Sequence, residues 1–473
     1  MRLFLFFFFF ASSFLSFSQV VTVSESILLR NDLSYNIIGE MKGHVLLFRE
    51  KSDNFEIQAF DQNLQQAWNK EIELDKSRPE VLDIVPGREG FSLIYRFKKK
   101  GRLCIKVHQY DPAANLTDSA MIIELENQFF TPNHQVVVSE NKNMALVFSI
   151  EKINQVRAFM IDLSTTSLVW ETAFEIDDFY ANRDLREVIA DDDGNMYFIL
   201  EKENRKSKLE EHRFEVFQYG PGATAISKKI FPMKEKLSFD LTFVFDNLNK
   251  KLIAAGLYSD ENAGKAAGYF YFSASLSSEN SGKFVFHEFK PAILSTLLGK
   301  EVDENKGLPE ILVREVVLRR DGGVLLINER TKIYERQSAG IARSSFDRFN
   351  RYIVDYYYDD LFVASINPDG SSHWENILHK KQYSQDDGGV FSSYFLMKTA
   401  KDLRLIFNDE IRNENTVSEY IVSYIGEIDR NSVFSTANQD LKIRFRDALQ
   451  VSNNHIIVPS ERRNRLKLVR VVF

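Results

Sequence analysis

Six acidic residues in the second half of the chain, Glu329, Asp359, Asp360, Asp386, Asp387 and Asp409, could include a carboxylate pair. Glycoside hydrolysis needs such a pair, one group giving a proton while the other activates water or attacks carbon. With 67 Asp and Glu in 473 residues, however, such clusters arise from composition alone. Asp191-Asp192-Asp193-Gly194-Asn195 resembles a calcium loop but lacks the closing glutamate of an EF-hand, and aspartate with glycine equally suits a tight turn. The eight histidines (His44, His108, His134, His212, His287, His373, His379 and His455) form no zinc-type pair at helical spacing. Cys104 is the single cysteine, so no intramolecular disulfide can form, and its alternating surroundings predict a packed thiol. The chain contains no Gly-x-Ser-x-Gly elbow, phosphate loop or dinucleotide fingerprint. These residues predict no metal and no cofactor, assign no catalytic residue and leave enzymatic activity undecided.

The N-terminus reads MRLFLFFFFFASSFLSFSQ. Arg2, an apolar run from Leu3 to Leu15 and the small residues Ser16 and Ser18 predict a cleaved secretory signal over 1–18, with Gln19 as the first mature residue. That run is short of the roughly 20 residues needed to cross a bilayer. No second long apolar stretch follows, so no transmembrane segment is expected, and the predicted location is periplasmic or extracellular. A net charge of −7 gives no overall pull toward nucleic acid or an anionic membrane.

The elements that must position any site follow from a repeat. Short apolar runs recur eight times, each entered through a polar or glycine turn. They begin at Gly43, Gly90, Met144, Asn195, Leu252, Gly323, Leu403 and His455. Their residues are mostly β-branched or aromatic, and apolar at consecutive positions, as in strands buried on both faces. Each has a short strand before it, such as Val81-Leu82-Asp83-Ile84, and an alternating strand after it, such as Phe55 to Asp61. A fourth strand follows, and Trp68, Trp170 and Trp374 all fall at its start. About fifty residues per four-stranded unit is the period of a propeller blade. The fold predicted is an all-β propeller, with eight blades first and seven second. The eighth copy supplies only three strands, so Val20 to Leu29 is expected to add the fourth and close the ring. The domain expectation is a single propeller over 19–473. An outer-membrane barrel, suggested by the terminal Phe473, fits less well because the second strands are continuously apolar rather than alternating.

By strand order, the turns between strands two and three lie on the same face as the links between blades. That face receives every long insertion: Lys290 to Glu310 (with a helix expected over Ala292 to Leu298), Arg330 to Tyr352 and His379 to Val390, and a smaller one from Glu201 to Glu211. Long loops on a rigid scaffold are the usual seat of function. The blade-six insertion is arginine-rich and runs into Asp355-Tyr356-Tyr357-Tyr358-Asp359-Asp360; arginine with clustered tyrosine is typical of recognition surfaces. The candidate partner-binding residues are therefore Arg343, Arg348, Tyr357, Tyr358, Asp360 and Lys380.

Two resemblances accompany these residues. The acidic turns leading to Trp68, Trp170 and Trp374 resemble the tryptophan-docking repeats of quinoprotein dehydrogenases, which are eight-bladed and exported; one cysteine cannot supply the adjacent cysteine pair of their alcohol-oxidising members. Between Leu308 and Asp409, four segments resemble a group of exported propeller-like proteins of Bacteroidota with no assigned activity. These are Asp321 to Glu329, Ile366 to Trp374, His379 to Gln382 and Leu405 to Asp409. That resemblance implies fold and compartment and adds no catalytic residue. The function expected is non-catalytic binding or scaffolding of a protein or glycan partner of the cell envelope. The alternative is an exported carbohydrate-active enzyme with acidic residues in the central funnel.

Overall fold

The computed structural model describes residues 19–473 except 53, 76–77, 126–131, 206–210, 261–263, 278–281, 304–305, 338–351, 412–415 and 437–439. The predicted signal over 1–18, the arginines Arg343 and Arg348, and part of the Glu201–Glu211 insertion lie outside the described residues.

Eight antiparallel sheets follow one another along the chain as the blades of a propeller. Blade one runs from Asp32 to Ile72 and blade seven from Phe395 to Ser435. Blade eight is built from both ends: Leu449–Gln450, His455–Arg462 and Arg465–Val472 are completed by Val20–Val23, which pairs antiparallel with Val469 to Val472. Ile27 and Leu28 continue the pairing on Leu466 and Arg465. The count is eight, and the N-terminal strand closes the ring.

The doubly apolar second strands have a simple cause. Successive side chains of a strand point to opposite faces, and in a blade both faces meet a neighbour. In blade one, Leu46 and Phe48 enter the interface with blade two, whereas Val45 and Leu47 enter the interface with blade eight. In blade six, Val324 and Leu326 face blade five, and Leu325 and Ile327 face blade seven. Packed apolar residues form one cluster at each junction between blades.

The three tryptophans hold one register. Each lies opposite the third-strand residue that precedes a bulge: Trp68 on Ala59, Trp170 on Met160, Trp374 on Ser365. Each reaches the following blade. Trp170 donates its indole N–H to the Gly194 carbonyl at 2.8 Å, and Trp374 donates to the Tyr424 carbonyl at 3.1 Å. Trp68 packs into the cluster with Phe91 and Tyr110. Trp170 is buried and the other two are half-exposed. Trp170→Phe should therefore cost about 1–2 kcal/mol, from the lost hydrogen bond and some volume. Trp68→Phe and Trp374→Phe should cost less. Denaturant titration of the three variants checks the order, and equal losses would contradict it.

The blade-six insertion is partly strand rather than loop. Its second and third strands are long, Val324–Gln337 and Tyr352–Ile366, and project as a hairpin arm beyond the pairing with strand one. Gln382–Gln385, from the next insertion, adds a third strand by pairing with Asp355 to Tyr358. The helix between blades five and six spans Pro291–Leu298, with proline at its first turn and the left-handed Gly299 (φ 64°) at its end.

Candidate functional site

The insertions of blades five to seven touch one another. Arg330 donates to the Leu297 carbonyl at the end of the helix, and Lys332 pairs with Glu310 at 3.3 Å. Lys380 crosses from the third insertion to Glu329 at the foot of the arm, at 2.7 Å.

On the arm, alternation sorts the side chains. Lys332, Tyr334 and Arg336 share one face with Asp355, Tyr357 and Tyr383. The rings of Tyr334 and Tyr357 meet edge to face at 6.1 Å, and those of Tyr357 and Tyr383 lie 5.0 Å apart, giving an aromatic row across three strands. Lys332 sits over the Tyr334 ring at 4.2 Å. Arg336 pairs with Asp355, which also accepts from the Tyr383 hydroxyl at 2.7 Å. Tyr334 is 46% exposed, while Tyr357 and Tyr383 are half-buried. On the opposite face, Tyr358, Gln382 and Ser384 are buried and Ile333 is exposed.

Below the arm lies a buried charge cluster. Glu329 and the Lys380 side chain are fully buried. Glu329 accepts from Arg314 Nε at 2.7 Å and from the Ser393 hydroxyl at 2.8 Å. Lys380 also donates to the Tyr358 carbonyl and to Gln382, both at 2.9 Å, and Gln382 passes its amide to the Ser393 and Asn408 carbonyls. Burial drives the Lys380 ammonium below its ordinary range, opposed by the Glu329 carboxylate. This cluster ties together the arm, the third insertion and blade seven.

The predicted binding residues thus separate. Tyr357 stands in the exposed row. Asp360 is half-buried and accepts from the Lys380 backbone N–H at 3.1 Å. Tyr358 and Lys380 face inward, and Lys380 is an internal ion-pair partner rather than a surface cation; a lysine in a polar sequence gives no sign of that until the arm folds over it. The six acidic candidates also have structural partners in several cases. Asp387 accepts from Ser384 and the Gly389 N–H, Asp386 from the Val354 N–H, and Asp409 pairs with Arg430. Asp191 closes its turn through the Asp193 and Asn195 N–H groups and accepts from the Tyr197 hydroxyl. Cys104 is buried, and burial raises its thiol above its usual range. Among the described residues no group of three or more His, Cys, Asp or Glu could hold a metal.

A set of carboxylates that sequence reasoning missed lies on the first strands, which pack on one another from blade to blade around the axis. Asp83, Glu187 and Glu315 follow equivalent bulges and face Ile94, Ile199 and Ile327 of their second strands. Gln135 holds the same place in blade three, opposite Phe148. Burial raises all three carboxyls, Glu315 to about 7. None is raised by another carboxylate; Glu315 is opposed only by Lys398. The signal was in the sequence as Asp83-Ile84-Val85, Gln135-Val136-Val137, Glu187-Val188-Ile189 and Glu315-Val316-Val317.

Glu315 gives a pH dependence. The folded state holds its proton more tightly than the unfolded chain, so the stability that Glu315 contributes is fully present below about pH 4.5 and is lost as pH rises through about 7. Glu315→Gln should remove that slope and raise stability above pH 7 by up to about 3 kcal/mol. Melting curves from pH 4.5 to 8 check it; an unchanged slope in the variant would assign the dependence elsewhere.

Eight blades, closed ring and loop-bearing face define a β-propeller. No family model matches the chain, and no curated protein matches its sequence. Among solved structures it is similar to the Dos1 propeller, at 7% identity and a TM-score of 0.47, with 95% of each chain covered. It is similar to a prolyl endopeptidase at 10% identity and a TM-score of 0.42, covering 92% of this chain and 55% of that one. It is also similar to the quinohemoprotein alcohol dehydrogenase of Comamonas testosteroni, at 10% identity and a TM-score of 0.38, covering 96% and 76%. The chain spans about half the length of the prolyl endopeptidase.

Proposed function

We propose that this chain is an exported, non-catalytic binding or scaffolding propeller. It recognises a protein or glycan partner of the cell envelope through the long-loop face. The observation that supports this most is the row of Tyr334, Tyr357 and Tyr383, flanked by Lys332 and Arg336 on an arm held out from the ring. Aromatic rings bring large contact area with few rotatable bonds, and arginine adds directional donors. The buried Glu329–Lys380 pair fixes the base of that arm. Export rests on the N-terminal apolar run and on the resemblance of Leu308 to Asp409 to exported Bacteroidota propellers.

The carbohydrate-active alternative draws on Glu315, whose proton is held to about neutral pH as a general acid requires. Against it, no carboxylate is among the groups that shift Glu315, and Glu329, which acts with Glu315 on Tyr394, is fully buried and paired with Lys380. The binding reading is tested with Tyr334→Ala and with the double variant Arg343→Ala/Arg348→Ala. Each should weaken capture of a partner from envelope extracts by about tenfold or more while leaving the melting temperature nearly unchanged. Full capture by both variants would refute the face; loss of stability in parallel would make these residues structural.

A further inference from the structure

A cleft away from the arm lies between the outer strands of blades four and five. It has a volume of about 1170 Å³. Ser227–Pro232 forms one wall and Lys283–Glu288 the other. Phe231, Phe284 and Phe286 line it, with Phe284 and Phe286 half-exposed and Ile230 51% exposed above them. The walls approach closely because Gly282 has no side chain: a Cβ there would stand 2.5 Å from the Phe231 ring.

Lys228, Lys229, Lys234, Lys236 and Lys283 also line this cleft, against the single carboxylate of Glu235 within the lining. Glu215, 2.8 Å from Lys228, and Asp260, paired with Lys236, stand behind it. Lysines on an outer strand can serve only to discourage edge-to-edge pairing. That accounts for Lys228, Lys229 and Lys283, but Lys234 and Lys236 lie in the link to blade five, on neither edge.

We propose that this cleft binds an extended acidic glycan. Lysine ammoniums are compact point charges without the fork that fixes one planar anion, so a row of them suits a repeating charge whose register can slide. The phenylalanine floor offers apolar surface to the C–H faces of successive sugar rings. A volume of this size exceeds what one small anion fills. An acidic peptide would match the charge but not the floor.

The probe is a ten-residue oligogalacturonate, followed by titration calorimetry on the full mature chain. Neutral cello-oligosaccharide and polyglutamate of similar charge serve as comparisons. Oligogalacturonate should bind at 50 mM NaCl and weaken about tenfold or more by 300 mM, as expected for exposed charges. The Lys234→Gln/Lys283→Gln variant should weaken binding by a similar factor with an unchanged melting curve. A gentler variant, Lys234→Gln alone, decides the case if the double variant fails to fold. Absent binding, binding indifferent to these substitutions, or equal binding of polyglutamate would each overturn the proposal.

Discussion

Removal of Val20–Leu29 should destabilise the protein more than any other short deletion. Val20 to Val23 carries a full ladder to Val469–Val472, and Ser24 adds a backbone bond to Leu468 at 2.9 Å. Val21 and Val23 pack into the junction of blades seven and eight, and Ile27 and Leu29 into that of blades eight and one. Leu28 also caps Arg49 through its carbonyl at 2.7 Å. These four side chains are partly buried, so each contributes less than the roughly 1.5–3 kcal/mol of full burial, and together with the lost ladder they amount to a large part of the stability of a typical domain. The deletion also leaves Arg465–Val472 as an open, apolar edge prone to pairing with another chain. The expected result is a melting temperature lowered by several degrees or more, with aggregation. A synthetic peptide of the deleted strand, added in trans, should restore part of the loss by re-pairing with that edge. An unchanged melting curve would show that the ring does not depend on this closure.

Glu329→Ala should be the most damaging single substitution in the loop region. It removes the partner of a fully buried ammonium and of Arg314 Nε together. Breaking a buried pair from one side typically costs about 3–5 kcal/mol, because the remaining charge is left without compensation. Glu329→Met combined with Lys380→Met should recover much of that loss, since a buried pair replaced by apolar side chains is often neutral. Chemical denaturation of the two variants measures the difference. Equal destabilisation by both would mean that Glu329 does not balance Lys380. The arm should loosen in Glu329→Ala, read as faster hydrogen exchange over Lys332–Arg336 and Tyr352–Tyr358.

The blade period and the common place of the tryptophans were legible because each is written locally, and ring closure followed from a count, since the eighth copy supplies three strands and Val20 to Leu29 is left over. Doubly apolar second strands, polar turns and a tryptophan at one register of three repeats need no knowledge of distant contacts. The helix Pro291–Leu298 was legible for the same reason. Three features were not. The strand extension of blade six has a polar, charged sequence, and only its pairing with Gln382–Gln385 makes it a small sheet. Lys380 is a surface residue by composition and becomes internal through Glu329, more than fifty positions earlier. Asp83, Glu187 and Glu315 differ in residue type and are separated by whole blades. The bulge register that aligns them exists only in the folded strands, although the two β-branched residues after each were visible.

The binding face is tested most directly by site-specific photo-crosslinking. A photoreactive phenylalanine analogue replaces Tyr334, 46% exposed on the arm, or Tyr424, 80% exposed in the turn between strands three and four of blade seven, on the opposite face. Irradiation in envelope extracts should give a discrete adduct from position 334 and none from position 424. An adduct from 424 alone, or none from 334, would contradict recognition through the long-loop face.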